Sequence, residues 1–250
     1  MVSSPCGQCR EGQGFDSPFT MALQTVVDLQ ERRIHAYEAL VRGPHGESAA
    51  SILSQVTPDN RYAFDQACRV RAIELAGRLG LDRRLNINFM PNAVYEPAAC
   101  IRATLAAAGR VGFPLDQITF EITEDERIAD HQHLARIIED YRGRGFAVAL
   151  DDFGAGACGL NLLANIRPDI VKIDLGLVRD CHRDSTRRVI LRAMLGVCRE
   201  LGIGVVAEGV EQPEELEVLR AAGLRYVQGF LFARPALEAL IQDRDIQFSV

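Results

Sequence analysis

The alternation of short apolar runs with longer amphipathic runs constrains the fold of this chain most strongly. Eight β-branched or apolar runs predict strands at 21–29, 34–42, 85–89, 118–124, 147–153, 169–174, 204–210 and 226–232. Helical patterns lie between them at 65–79, 97–108, 132–141, 185–201 and 214–221, several closed by a glycine, at Gly80, Gly109, Gly143, Gly202 and Gly223. About one strand–helix unit per 30 residues, over 250 residues, is typical of a (β/α)8 barrel.

The first two predicted strands break this regular pattern. The segment between them is too short for a crossover helix, so we expect the two strands to pair as an antiparallel hairpin. The predicted fold is therefore α/β, a modified (β/α)8 TIM-like barrel with one antiparallel strand near the N-terminus. A doubly wound open sheet is the alternative, but the sequence lacks the glycine-rich phosphate loop that usually follows its first strand.

Length and composition limit the function classes. A chain with 48% hydrophobic residues can bury a continuous core, and we expect a flexible leader at 1–18 followed by one barrel domain at 19–250. A net charge of −6 without a basic run argues against duplex nucleic acid as a partner. No run reaches the roughly 18 apolar residues of a membrane span, and the N-terminus lacks a signal-peptide pattern, so a cytoplasmic location is predicted.

The seven cysteines are scattered and odd in number, which is not the pattern of a disulfide framework in a chain of this length. Cys6 and Cys9 have the spacing of a zinc knuckle, but no second pair follows at a matching interval. Reduced thiols and a disordered leader are the simpler interpretation.

Two adjacent carboxylates, Asp151 and Asp152, follow an apolar run and precede Gly154 and Gly156. Like charges repel when they are buried together, so either a divalent cation holds both or they lie in a solvated turn. Other predicted strands also carry a polar residue toward their carboxyl ends: Glu38, Asn88, Glu121, Lys172, Glu208 and Gln228. In a barrel, that end carries the chemistry.

A single buried acid is usually a structural residue that pairs with its own counter-charge. Several polar residues at the same end of successive strands are better explained by one partner that they share. Oxygen donors from Glu38, Asn88, Glu121, Asp151 and Asp152, without histidine or cysteine, favour Mg²⁺ or Mn²⁺ over zinc. One aspartate bridging two ions is the arrangement used in two-metal phosphoester hydrolysis. Both aspartates can reach one site if the strand ends there and the glycines supply the turn.

The remaining polar residues leave alternatives open. Lys172 can orient a water or neutralise charge on phosphate oxygens, whereas a Schiff-base role would need a neutral lysine, which the surrounding acids disfavour. Glu208 can ligate a metal or accept the proton of the water. Arg42 projects from the same strand face as Glu38, toward a phosphate or the solvent rim.

Seven ordered motifs, "YEALVR", "NINF", "FEITE", "DDFGAG", "VKID", "AEGVE" and "QGF", resemble the EAL-domain phosphodiesterases, which cleave cyclic di-GMP to linear pGpG. The resemblance runs from about Phe19 to Leu240. It implies a cytoplasmic bacterial signalling hydrolase on a modified barrel, usually dimeric, with two Mg²⁺ or Mn²⁺ ions. A sensor or regulatory domain would lie elsewhere.

The resemblance also implies residue roles. One metal would be held by Glu38, Asn88, Glu121 and Asp151, and the other by Asp151, Asp152 and Glu208. The catalytic residues, which act on the attacking water, would be Lys172, Glu208 and Asp152. Substrate would be bound by Arg42, Gln24 and Gln228, and the site braced by Glu124 and Glu211.

Two departures from the family pattern matter. Ala157 replaces the usual aromatic residue after the second glycine of the "DDFGAG" loop, and Thr25 stands where "QPIV" is usual. The first change keeps a second hypothesis open: a non-hydrolysing cyclic di-GMP receptor or a protein-interaction module on the same fold. Tight nucleotide binding without turnover would favour that alternative.

Overall fold

In the computed structural model, residues 14–94, 96–123, 130–156 and 159–248 are described. Several predictions fall outside these ranges: most of the leader at 1–18, the pair Cys6 and Cys9, the bracing residue Glu124, and the departure at Ala157. They stay predictions.

Eight strands close into a barrel, as the sequence predicted. The strands are β1 (Thr20–Asp28), β2 (Arg33–Arg42), β3 (Arg84–Asn88), β4 (Ile118–Thr123), β5 (Ala147–Phe153), β6 (Ile170–Ile173), β7 (Gly204–Ala207) and β8 (Tyr226–Gln228). From β2 to β8 each neighbouring pair is parallel, and β1 closes the ring by pairing antiparallel with both β2 and β8. A short strand β9 (Ala236–Leu237) pairs with β1 outside the ring.

Helices cover the outside of the barrel. They are α1 (Ala49–Leu53), α2 (Arg61–Arg78), α3 (Pro97–Cys100), α4 (Arg102–Val111), α5 (His131–Gly143), α6 (Gly159–Ile166), α7 (Leu175–Val178), α8 (Ser185–Leu201) and α9 (Pro213–Ala221). The main core lies between strands and helices, and a small cluster of Val26, Ala36 and Val206 packs separately.

Capping residues stabilise both ends of α8. The Asp184 carboxylate accepts hydrogen bonds from two backbone amides at the start of the helix, and Gly202, with φ +71°, ends it.

The structure corrects some predicted boundaries. Gly109 lies inside α4, which ends at Gly112 with φ +69°, and Gly143 is the last residue of α5 rather than its cap. A glycine that follows a helical pattern therefore does not by itself mark the end of the helix. The predicted strands 204–210 and 226–232 end earlier, at Ala207 and Gln228, because the residues that follow lie in loops and do not pair with a neighbouring strand.

Gly229 joins two of those loops. A Cβ at this position would lie 2.0 Å from the carbonyl oxygen and 2.4 Å from the amide nitrogen of Val210. The Val210 amide donates to the Gln228 carbonyl at 3.1 Å, so the close approach holds the loops after β7 and β8 together.

We expect Gly229→Ala to destabilise the fold by about 2–4 kcal/mol, because the added methyl must displace backbone. Urea unfolding measures the change. Gly196→Ala within α8 is the matched control, since nothing lies within 4 Å of its added Cβ, and it should be neutral or stabilising by up to about 1 kcal/mol. Equal unfolding midpoints for the two variants would contradict this account.

Candidate active site

The barrel strands bring the predicted polar residues together at their carboxyl ends. Glu38 lies on β2, Asn88 ends β3, Glu121 lies on β4, Asp151 and Asp152 lie on β5, Lys172 lies on β6, Glu208 follows β7 and Gln228 ends β8. Glu38, at the middle of β2 rather than near its end, reaches the same level because β2 extends further along the barrel to Arg42. The eight side chains form the candidate site.

Lys172 lies at the centre of this site and is the only lysine in the sequence. Its Nζ lies 3.1 Å from Glu38 Oε2, 2.9 Å from Glu121 Oε2, 3.0 Å from Asp151 Oδ1 and 2.8 Å from Glu208 Oε1. A compact ammonium can face four oxygens in this way, whereas a planar guanidinium presents its donors in one fork. One positive charge therefore holds four carboxylates, and the site keeps an excess of negative charge.

Three side-chain amides also donate hydrogen bonds to the carboxylates around Lys172. Asn88 Nδ2 donates to Glu38 Oε1 at 3.2 Å, and Gln228 Nε2 donates to Glu38 Oε2 at 2.7 Å. Asn86 Nδ2 donates to Glu121 Oε1 at 2.9 Å. Asn86 was not among the predicted site residues, although it stands two residues before Asn88 and alternate residues of a strand share a face.

Asp151 and Asp152 reach the same site through a bulge rather than through the end of the strand. The pairing of β5 with β6 shifts between Leu150 and Phe153, and Asp152 has φ +53°. This left-handed conformation turns the Asp152 side chain to the side occupied by Asp151. The expected turn at the glycines follows one residue later, after Phe153, with Gly154 at φ +100°.

The carboxylates form two trios that share Asp151. Oxygens of Glu38, Glu121 and Asp151 all lie within 4.8 Å of one another, and so do oxygens of Asp151, Asp152 and Glu208. The first trio is buried, and the second includes two half-buried residues. Each trio is thus wide enough to surround one cation, and Asp151 can serve both.

Burial and mutual repulsion keep protons on part of the site. Burial raises the pKa of Glu121 well above its usual range and that of Glu208 to about 8, against the opposing effect of Lys172. Burial and the Asp151 charge raise the pKa of Asp152 to about 6. Although burial lowers it, the four surrounding acids raise the pKa of Lys172 well above its usual value, so the lysine stays charged.

These residues fit a hard divalent cation. The donors are carboxylate and amide oxygens, neither trio includes histidine or cysteine, and the negative charge exceeds what one lysine can balance. Such oxygen donors suit Mg²⁺, Mn²⁺ or Ca²⁺ better than Zn²⁺.

We expect cation binding to release protons. At pH 7 the Glu208 carboxyl, with a pKa of about 8, is largely protonated, and a bound cation would displace that proton. Titration calorimetry with Mn²⁺ in two buffers of different ionisation enthalpy should show net proton release, and less for Glu208→Gln, in which Glu121, whose pKa is also raised, can still lose its proton. Identical heats in both buffers would contradict the expectation.

The raised pKa of Glu208 also predicts that the stability of the fold depends on pH. Because the folded Glu208 binds its proton more tightly than the unfolded chain does, the metal-free protein should lose stability as pH rises from about 4.5 to 8. Bound cations should reduce that loss.

The predicted outer residues lie around this centre. Gln24 is buried on β1 directly opposite Glu38. Arg42 is half-buried at the end of β2, donates to the Val41 carbonyl at 2.7 Å and lines a cavity of about 550 Å³ together with Asn88. Glu211 is exposed, and its amide donates to Glu215. Its bracing role stays a prediction.

A closed α/β barrel with a cluster of acidic side chains at the carboxyl ends of its strands defines the class of this protein. The EAL domain family model matches residues 16–235, and the chain belongs to that family. The resemblance stated from the sequence is confirmed.

Two solved structures are similar over most of the chain. A standalone versatile EAL protein from Vibrio cholerae O395, in its c-di-GMP-bound form, is 49% identical with a TM-score of 0.89, and the match covers 94% of this chain and 99% of that one. BlrP1 from Klebsiella pneumoniae, in a calcium and cy-diGMP complex, is 35% identical with a TM-score of 0.84, covering 96% and 59%.

Two curated relatives are longer than this chain. BluF of Escherichia coli, named a blue light- and temperature-regulated antirepressor, is 33% identical over 220 residues, 88% of this chain and 55% of BluF. NbdA of Pseudomonas aeruginosa, named a cyclic di-GMP phosphodiesterase, is 27% identical over 239 residues, 91% of this chain and 30% of NbdA. The chain thus spans about half or less of these relatives. In the described part of the chain, no helix combines the length and apolarity that crossing a membrane requires.

Proposed function

We propose that this chain is a metal-dependent phosphodiesterase that hydrolyses cyclic di-GMP to linear pGpG. The observation that carries the proposal is the complete acidic site: Lys172 within 3.1 Å of four carboxylates, and two carboxylate trios that share Asp151. The similarity to a protein named a cyclic di-GMP phosphodiesterase supports the substrate class.

In this proposal the site holds two Mg²⁺ or Mn²⁺ ions. One ion would be held by Glu38, Asn88, Glu121 and Asp151, and the other by Asp151, Asp152 and Glu208; the 4.8 Å spread of the oxygens within each carboxylate trio supports this division. When bound, such ions would supply Lewis-acid polarisation of the phosphodiester and a water acidified into the neutral pH range.

The side chains would orient and neutralise the reacting groups. Glu208, once cation binding has displaced its own proton, would accept a proton from the attacking water. Lys172 would hold the carboxylates in place and balance charge on the phosphate oxygens. Arg42 would bind a phosphate, and Gln24 and Gln228 would contact the substrate.

The proposed reaction consumes one water. Its oxygen bonds to phosphorus, the P–O3′ bond breaks, and the freed 3′ oxygen takes a proton. One cyclic dinucleotide therefore gives one pGpG.

A second candidate function is a receptor or interaction module that does not hydrolyse the nucleotide. The similarity to BluF, whose name describes an antirepressor, favours it. The ligand set argues for the enzyme, because a receptor without turnover does not need the full set of acids together with Lys172.

Incubation of the purified chain with cyclic di-GMP, with Mn²⁺ or with EDTA, and chromatography of the products test the proposal. We expect pGpG with Mn²⁺ and unchanged substrate with EDTA. Tight nucleotide binding without pGpG would support the receptor instead. A homodimer, a sensor domain elsewhere and a cytoplasmic location stay predictions.

A further inference from the structure

Asp65 and Arg69 form a buried ion pair one turn apart on α2. Asp65 Oδ2 lies 2.6 Å from Arg69 Nη2, and the two side chains are 2% and 1% exposed. Removing two charges from water is costly, and a buried pair does not generally stabilise a fold more than apolar residues of similar size would. The groups that the pair contacts therefore indicate what it does.

Both partners reach the segment that follows Asn88. Asp65 Oδ1 accepts the amide hydrogen of Met90 at 3.0 Å, and the Arg69 guanidinium carbon lies 5.7 Å from the centre of the Phe89 ring. Arg69 Nη1 also donates to Thr104 Oγ1 on α4 at 3.3 Å. The pair thus links α2 and α4 to the backbone at Phe89 and Met90.

That segment sets the direction of a candidate metal ligand. Strand β3 ends at Asn88, and the Phe89 amide donates to the Glu121 carbonyl at 2.9 Å. The Asn88 side chain, one residue earlier, contacts Glu38 at 3.2 Å. Asp65, Asn88 and Met90 also line the same cavity of about 550 Å³. A shift of Met90 would therefore move Asn88 relative to Glu38.

We propose that Asp65 and Arg69 are positioning residues for the cation site: by fixing the Met90 amide they hold Asn88 in ligating position. The inference rests on the proposed function, because it assigns Asn88 to a metal. In this proposal the pair acts through residues 88–90.

Two charge-free double variants separate this role from packing. D65L/R69M removes both charges and the acceptor for the Met90 amide, and apolar replacement of a buried pair is commonly tolerated. D65N/R69M also removes both charges, but its amide oxygen can still accept that hydrogen. If the leucine variant does not fold, D65A/R69M, which also lacks the acceptor, takes its place.

Mn²⁺ binding, followed by the electron paramagnetic resonance signal of free Mn²⁺ without nucleotide, is the readout. We expect about 10-fold weaker binding for D65L/R69M and within about 3-fold of wild type for D65N/R69M. In steady-state assays the apparent Mn²⁺ requirement should rise while kcat at saturating Mn²⁺ stays close to wild type.

Equal Mn²⁺ affinity in wild type and both variants would overturn the positioning role while leaving the proposed function intact. Equal losses in the two variants would overturn it as well, since the acceptor would then be irrelevant. Wild-type protein that binds no Mn²⁺ would overturn the proposed function, and the inference with it.

Discussion

Glu38→Gln should lower the hydrolysis of cyclic di-GMP by on the order of 10³-fold while leaving the fold intact. Glu38 contacts Lys172, Asn88 and Gln228 together, at 3.1, 3.2 and 2.7 Å. Burial opposes ionisation, but Lys172 and the amide hydrogen bonds lower the pKa of Glu38, so it is ionised and available to a cation. Losing a residue behind a ligand typically costs about 10- to 100-fold, and losing the ligand should cost more.

The rate of pGpG formation at saturating Mn²⁺ measures this effect. Glu217→Gln, on the exposed side of α9, is the matched control and should retain wild-type turnover. Because glutamine has almost the shape of glutamate, the circular dichroism spectrum and thermal midpoint should change little. A Glu38→Gln variant with more than about a tenth of wild-type activity would contradict the assignment of Glu38 as a ligand.

Lys172→Met should destabilise the metal-free protein by about 3–5 kcal/mol, because four carboxylates, three of them buried, lose the ammonium that faces them all. The carboxyls would respond by binding protons more tightly in the folded state than in the unfolded chain. Stability linked to proton uptake falls as pH rises, so the loss should be larger at pH 8 than at pH 5.

Urea unfolding in EDTA and in Mn²⁺ measures this prediction. A cation should recover much of the lost stability, since it replaces the missing positive charge. Arg199→Met, on the exposed end of α8, is the control and should change stability by less than about 0.5 kcal/mol. A metal-free Lys172→Met protein as stable as wild type would show that the ammonium does not hold the acids together.

The sequence was sufficient to predict the barrel and most of the site, for one physical reason. Residues such as Glu121 and Lys172 interrupt apolar strands, and parallel strands of a barrel bring their carboxyl ends to one mouth. The antiparallel start of the barrel followed from the short connection between the first two strands, since no helix fits there. Both predictions depend on the spacing of apolar residues and on the length of the connections between strands, and short stretches of sequence show both.

Other features depend on contacts that no local pattern contains. The bulge that turns Asp152 toward Asp151 depends on how β5 pairs with β6, and the sequence pointed instead to a strand end. The contact of Asn86 with Glu121 required knowledge of the register between β3 and β4. Similarly, a lysine among acids suggested a charged side chain, but only the fold places four carboxylates around its nitrogen.

The buried pair on α2 is a further case. Asp65 and Arg69 have the spacing of an ordinary surface ion pair on a helix, and nothing in the sequence separates them from the many exposed arginines. Their role depends on burial and on the Met90 amide, which only the tertiary structure shows.

Crystals of the wild-type protein grown with Mn²⁺, analysed by anomalous scattering at the manganese edge, test the central claim most directly. We predict two anomalous peaks, one beside Glu38 and Glu121 and one beside Asp152 and Glu208, with Asp151 next to both. No peak within coordination distance of Asp151, or manganese bound only elsewhere on the protein, would contradict the claim that these acids converge to hold divalent cations.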